Sequence, residues 1–179
     1  MANHGLEKAK DFYLNKGWNI IPCNFKKAVL KKGKVEKQVV FDVDYKEFHE
    51  KRVTKEQAEK WWGEHNGMAI VTGAISGITV MDIDTKNLPE IESLPMTYMV
   101  ETHKGFHFYF KYQKGIGTRA KLYEKDGVKF NLDIRNDGGI IYAPPTSYEL
   151  PDGTIAEYKV IQNLPLAEFP LAWGEKIEE

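Results

Sequence analysis

Val80-Met81-Asp82-Ile83-Asp84-Thr85 closes an apolar run that begins at Ile78, and it does so with two carboxylates two residues apart. Side chains at i and i+2 of a strand share a face, so Asp82 and Asp84 are expected to point one way while Ile83 points into a core. Two like charges placed so closely repel each other. The usual remedy is a hard divalent cation, which takes oxygen ligands and leaves positions open for phosphate. A bare Asp-x-Asp also decorates loops; the position directly after an apolar strand is what turns the reading towards function.

Two later stretches repeat the pattern. Gly105-Phe106-His107-Phe108-Tyr109-Phe110-Lys111 alternates strictly, which predicts a core face of Phe106, Phe108 and Phe110. His107, Tyr109 and Lys111 then face away from that apolar layer. An imidazole there can donate a hydrogen bond to phosphate or serve as a ligand, although a surface histidine on a solvated sheet fits the same alternation. Phe130, Leu132 and Ile134 form a second apolar face, with Asn131, Asp133 and Arg135 opposite. Asp133 would suit a cation and Arg135 would clamp phosphate oxygens, or the two form a plain surface ion pair. Asn136-Asp137-Gly138-Gly139 reads as a tight turn. Three strand segments, each presenting one part of a phosphate-and-metal site, fit two-metal phosphoryl transfer better than independent decoration does.

Around these strands, Leu6, Ala9, Phe12 and Tyr13 recur at helical spacing before Gly17, predicting a helix over 5–16. Trp18 to Pro22 reads as a short strand. The stretch from there to about residue 50 has no clear period and reads as a long excursion; its Lys26, Lys27, Lys31, Lys32, Lys34 and Lys37 form either a solvated loop or a phosphate-facing surface. Thr54 with Gln57 is a capping-box signature for a helix over 54–65. Met68–Val71 and Ile78–Met81, separated by a glycine-punctuated turn, predict two adjacent strands. Further strands are expected at Thr97–Glu101, Phe106–Tyr112, Lys129–Arg135, Gly139–Ala143 and Ile155–Val160, and a closing helix at Leu166–Lys176. Helices first and then a largely antiparallel sheet make the class α+β.

The 179 residues suffice for one domain with a sizeable core. There is no apolar run of bilayer-spanning length, and Met-Ala-Asn-His-Gly-Leu-Glu-Lys lacks the apolar core of a secretory signal, so a cytoplasmic protein is expected. Cys23 is the sole cysteine, which excludes an internal disulfide and argues against structural zinc. A net charge of −1 gives no general attraction for nucleic acid, so any such binding must come from local charge.

In order and wording these motifs resemble the bifunctional DNA primase/polymerase N-terminal domain, a branch of the archaeo-eukaryotic primase superfamily. The likeness runs from Gly17-Trp18-Asn19-Ile20-Ile21-Pro22 through Trp61-Trp62, Ile70-Val71-Thr72-Gly73 and Ser76 to Asp84. It resumes at Thr102-His103-Lys104-Gly105-Phe106-His107 and Asp133-Ile134-Arg135-Asn136-Asp137-Gly138-Gly139, and closes on Ala143-Pro144-Pro145. The resemblance implies an RRM-like, largely antiparallel sheet (about 76–165) packed with an N-terminal αβ unit (about 1–75), the active cleft lying between them. It implies that Asp82, Asp84 and Asp133 bind catalytic Mg²⁺ or Mn²⁺, that His107 and Arg135 contact nucleotide phosphates, and that pocket shape near Tyr109 bears on sugar choice. Lys104-Gly105-Phe106 stands where the family often has a small hydroxyl residue or paired glycines, so Lys104 is expected to act electrostatically there. The implied reaction is template-directed nucleotidyl transfer from an NTP or dNTP on single-stranded DNA template and primer, in replication of a plasmid, phage or mobile element, with a helicase or further domains as partners. A non-catalytic accessory nucleotide-binding module and a metal-dependent nuclease are the alternatives.

Overall fold

The computed structural model describes residues 4–86, 94–125 and 128–171, with backbone alone for 4, 119–125 and 128–130. Two α-helices, α1 (His4–Asn15) and α2 (Lys55–Glu64), match the helical spacing. The predicted box caps α2: Thr54 Oγ1 accepts from the Gln57 N–H at 3.1 Å, and the Gln57 side chain accepts from the Thr54 N–H at 3.0 Å.

The described residues hold twelve strands, in chain order β1 (Asn19–Lys31), β2 (Lys34–Val40), β3 (Gly67–Val71), β4 (Ile78–Ile83), β5 (Tyr98–Glu101), β6 (Phe106–Lys111), β7 (Arg119–Lys125), β8 (Val128–Arg135), β9 (Ile140–Tyr142), β10 (Ser147–Glu149), β11 (Ile155–Glu157) and β12 (Lys159–Gln162), with α2 between β2 and β3. They make a six-stranded sheet, β12-β5-β6-β4-β8-β7, a four-stranded sheet, β2-β1-β3-β9, and the small pair β10-β11. Every paired ladder is antiparallel. Mixed helix and antiparallel sheet is the expected α+β class.

The lysine-rich stretch is no excursion. β1 is 13 residues long and folds back on β2 through Lys32-Gly33, both at positive φ (52° and 77°), the backbone of a two-residue hairpin turn. A register shift between Lys26 and Val29 breaks the two-residue alternation of β1, so the strand carries no clean period. β3 and β4 also depart from expectation: they join at the single bridge Gly73–Ile78 and then diverge into different sheets. Ile155–Val160 divides into β11 and the start of β12. Leu166 to Pro170 is extended rather than helical, the Lys111 N–H donating to the Ala167 carbonyl at 2.9 Å. The expected helix beyond Leu171 lies outside the described residues. No helix among them is long and apolar enough to cross a membrane.

Two apolar layers hold the molecule. One, built on Met81, Ile83, Phe108, Phe110, Leu132 and Ile134, covers the predicted core face of the six-stranded sheet. The other joins the opposite face (Ile78, Val80, Tyr98, Tyr109) to Ile20, Ile21, Trp62 and Ile70 of the N-terminal helices and four-stranded sheet. Both faces of the larger sheet are therefore covered. That corrects the view of the His107 face as turned away from apolar material: His107 is 3% exposed and Tyr109 is fully buried.

Candidate active site

β4 is a central strand, paired with β6 on one side and β8 on the other. Its register puts Asp82 directly opposite both His107 and Asp133. Cross-strand neighbours on one face lie roughly 4.5–5.5 Å apart at Cβ, so the three side chains form a row across three strands. One pair further along, Val80 faces Tyr109 and Arg135. In the other direction the ladder continues past the strand end, the Asp84 N–H donating to the Asn131 carbonyl at 2.9 Å. Asp84 thus stands on the same face as Asp82, while Ile83 is fully buried below.

The loop before β6 is held tightly to this edge. Thr102 and Gly105 close the turn through mutual bonds of 2.9 Å, Thr102 N–H to the Gly105 carbonyl and Gly105 N–H to Thr102 Oγ1. A Cβ on Gly105 would lie 1.7 Å from the Ile83 carbonyl oxygen, so only glycine fits there. The far end of β8 is anchored by buried Asn136, whose amide donates to the Gln113 and Ile116 carbonyls at 2.8 and 2.6 Å, while its Oδ1 accepts from Thr79 Oγ1 at 2.9 Å. These contacts fix where Asp133 and Arg135 stand.

A cavity of about 170 Å³ opens beside the row, with Asp82, Asp84, Lys104 and His107 in its wall. The opposite wall is Val35 and Lys37 from β2 with Tyr148 and Tyr158. Asp133, Arg135 and Tyr109 are not among its lining residues. Tyr109 is packed between Trp18 and Tyr98 at ring-centroid distances of 5.4 and 5.0 Å; its expected place beside the nucleotide is taken by core packing. Lys37, seen in the sequence only as one lysine of a run, reaches the site. It shares a strand face with the half-buried Val35 and Val39, a parity that was available in Val35-x-Lys37-x-Val39. Its Nζ donates to the Tyr158 hydroxyl at 3.1 Å and sits 5.3 Å from the Tyr142 ring centre. Tyr158 also stacks on His107, centroids 5.7 Å apart.

The charges are unevenly settled. Burial disfavours the Asp82 carboxylate, but His107, with Nε2 3.4 Å from Oδ1, and then Lys37 and Arg135 outweigh it and hold its pKa below the usual value. Asp84 and Asp133 go the other way: burial first, and the Asp82 charge second, push both upward. Arg135, 3.3 Å from Asp133 Oδ2, only partly offsets this. Burial lowers the pKa of Lys37 against the pull of Asp82 and Asp84.

A divalent cation would fit this donor set. It is all carboxylate oxygen, as Mg²⁺ and Mn²⁺ prefer, and Asp133 Oδ1 is buried without a hydrogen-bond partner. Among the described residues no three such side chains are already gathered into a cage, since Asp82 leans on His107 and Asp133 on Arg135.

No curated protein sequence matches the chain. The profile of the family described as bifunctional DNA primase/polymerase, N-terminal, matches residues 10–172 and so takes in the second half of α1, α2, all the described strands and the whole acidic row. On that match the chain belongs to the bifunctional DNA primase/polymerase N-terminal family, Prim-Pol.

Proposed function

We propose that this domain carries out template-directed nucleotidyl transfer, as a DNA primase, a DNA polymerase or both. Family membership implies a nucleotidyltransferase with nucleic acid and nucleotide as substrates. The observation that carries the finer reading is the register-matched row His107–Asp82–Asp133, with Asp84 on the same face at the wall of the cavity. Asp82, Asp84 and Asp133 would hold Mg²⁺ or Mn²⁺. Bound there, such cations favour ionisation of an attacking 3′-hydroxyl and neutralise charge on a leaving pyrophosphate.

The chain's own residues bind and orient. Lys37 and Lys104 present ammonium groups to the cavity from opposite walls, suited to phosphate oxygens. His107, held by Tyr158 stacking and by Asp82, offers a ring N–H in the same space, and Arg135 supplies a planar donor fork on the next strand. At about 170 Å³ the cavity is smaller than the 300 Å³ or more usual for whole drug-sized ligands. It therefore takes phosphates, leaving sugar and base outside. Replication of a plasmid, phage or mobile element, with a helicase or further domains as partners and a cytoplasmic location, is the setting this activity suits.

The test is incorporation of labelled dNTP or NTP on a primed template with Mn²⁺. Extension by wild type and its loss in Asp82→Asn is the expected result. Binding of nucleotide without incorporation would replace this reading with the accessory-module one, and shortening of the template without incorporation would replace it with a nuclease.

A further inference from the structure

The lysines that looked like a loop belong to a hairpin tip that lies against the catalytic cavity. Lys31, Lys32 and Lys34 line a recess of about 410 Å³ together with Lys104, and Glu36 is the only acid in its wall. Lys104 also lines the catalytic cavity, so the basic surface runs from one into the other. The charge is largely unneutralised. Lys31 reaches Glu36 only at 3.9 Å, and among the described residues Lys32, Lys34 and Lys104 make no ion pair. On the other side of the tip lies a recess of about 340 Å³ bounded by Leu30, Val35, His103, Leu150, Pro151 and Asp152. Leu30 is 65% exposed at its edge, among the most exposed large apolar side chains of the described residues. Val35 lines all three spaces.

We propose that the tip of the β1–β2 hairpin and the His103–Lys104 loop seat single-stranded nucleic acid on its way to the acidic row. Backbone phosphates lie on Lys31, Lys32, Lys34 and Lys104, and a base lies in the recess beside Leu30, Leu150 and Pro151. The occupant follows from the pairing of surfaces. A polymer that alternates anionic phosphates with flat, apolar-faced bases needs a basic track and an apolar recess within one residue's reach, and here they flank one strand. The chain as a whole carries a net charge of −1, so its attraction for a polyanion has to be local. The proposal rests on the nucleotidyl-transfer reading of the neighbouring cavity, because that reading is what brings a strand end to this edge.

Binding can be measured without catalysis, by fluorescence anisotropy of labelled oligothymidylate in chelator over a salt series. The wild type is expected to bind, and Lys31→Ala/Lys32→Ala/Lys34→Ala to lose affinity tenfold or more. Its plot of log K against log salt should flatten by about 2, three lost phosphate contacts at about 0.7 each for single strands. A matched loss of charge from the helices, Lys8→Ala/Lys55→Ala/Lys60→Ala, should leave affinity near wild type. Leu30→Ser, with every lysine intact, should weaken binding without changing the salt slope. Far-UV circular dichroism and the unfolding midpoint check that each variant is folded. An unchanged affinity in the hairpin variant, an equal loss in the helix variant, an unaffected Leu30→Ser, or binding to anionic phospholipid vesicles in place of oligothymidylate would each overturn the seat. The transfer reading fails separately: a wild type that binds through the hairpin and incorporates no nucleotide leaves the seat standing and removes the chemistry.

Discussion

Asp82 has a cation-capable ring on one side and a second carboxylate on the other, and the pKa shifts record that division. Asp84 and Asp133 are raised in the folded protein, so the fold binds more protons than the unfolded chain at these positions. Without metal, their ionisation costs stability, and that cost grows as pH rises through the ordinary carboxylate range to the raised values. Asp82 works in the opposite sense, its contribution present above the ordinary range and lost as pH falls. Asp133→Asn removes one of the repelling charges. It is expected to stabilise the chelator-treated protein by about 0.5–2 kcal/mol, the usual gain from relieving a charge clash, and to flatten the fall of stability with rising pH, while abolishing incorporation. Urea unfolding in chelator across the carboxylate range checks the first two, and the labelled-nucleotide assay with Mn²⁺ checks the third. Lys37→Met should raise the KM for nucleotide about tenfold or more, since a hydrogen bond to a charged group contributes about 1.5–3 kcal/mol, and should leave folding intact; steady-state kinetics separate KM from kcat. Gly105→Ala forces a methyl into the Ile83 carbonyl and should cost about 1–3 kcal/mol or more, read as a lower denaturation midpoint.

At the level of elements, α2 shows how far local chemistry reaches. Thr54→Ala deletes the half of the reciprocal cap in which Thr54 Oγ1 accepts from the Gln57 N–H, and should cost about 1 kcal/mol by thermal or urea unfolding, with activity per folded molecule unchanged because α2 lines no part of the catalytic cavity. That helix, like β4, β6 and β8, was legible because one strong period runs through it without interruption. The β1–β2 hairpin was not. A bulge interrupts its alternation, and lysine stands on both faces of β2, at Lys34 and at Lys37, the one that lines the cavity. The turn Lys32-Gly33 carries the glycine that such turns favour at their second position, but Lys32 at positive φ is uncommon enough to hide it. Alternation also assigned Tyr109 and His107 correctly to one face. It could not say that Trp18 and Tyr98 would cover the first and leave only the second beside a cavity.

The two sheets are expected to fold as one cooperative body, for reasons in how the chain is routed. β9, drawn from 140–142, completes the sheet begun by β1 and β3, so the N-terminal half lacks its fourth strand until the acidic sheet has been traversed. The core repeats the dependence. Trp18 lies 5.7 Å from Tyr13 on its own side, and 5.7 and 5.4 Å from Tyr98 and Tyr109 on strands of the other sheet. The Tyr13 hydroxyl donates to the Pro144 carbonyl at 2.6 Å, across 131 positions of sequence. An isolated N-terminal unit ending near residue 75 would expose Ile20, Ile21, Trp62 and Ile70 where Ile78, Val80, Tyr98 and Tyr109 now cover them. It is expected not to fold: its far-UV spectrum should be that of a disordered chain, and its amide protons should exchange without protection. With Trp173 replaced by Phe, Trp18, Trp61 and Trp62 report the N-terminal unit, while far-UV circular dichroism reports the strands of both sheets. The two signals should trace one urea transition with a common midpoint, and Trp18→Ala should cost about 3–5 kcal/mol of stability, read as a lower midpoint in both. Separate midpoints would mean that the acidic row can form without Lys37 opposite it, and that the cavity is assembled by docking of two folded parts rather than by folding.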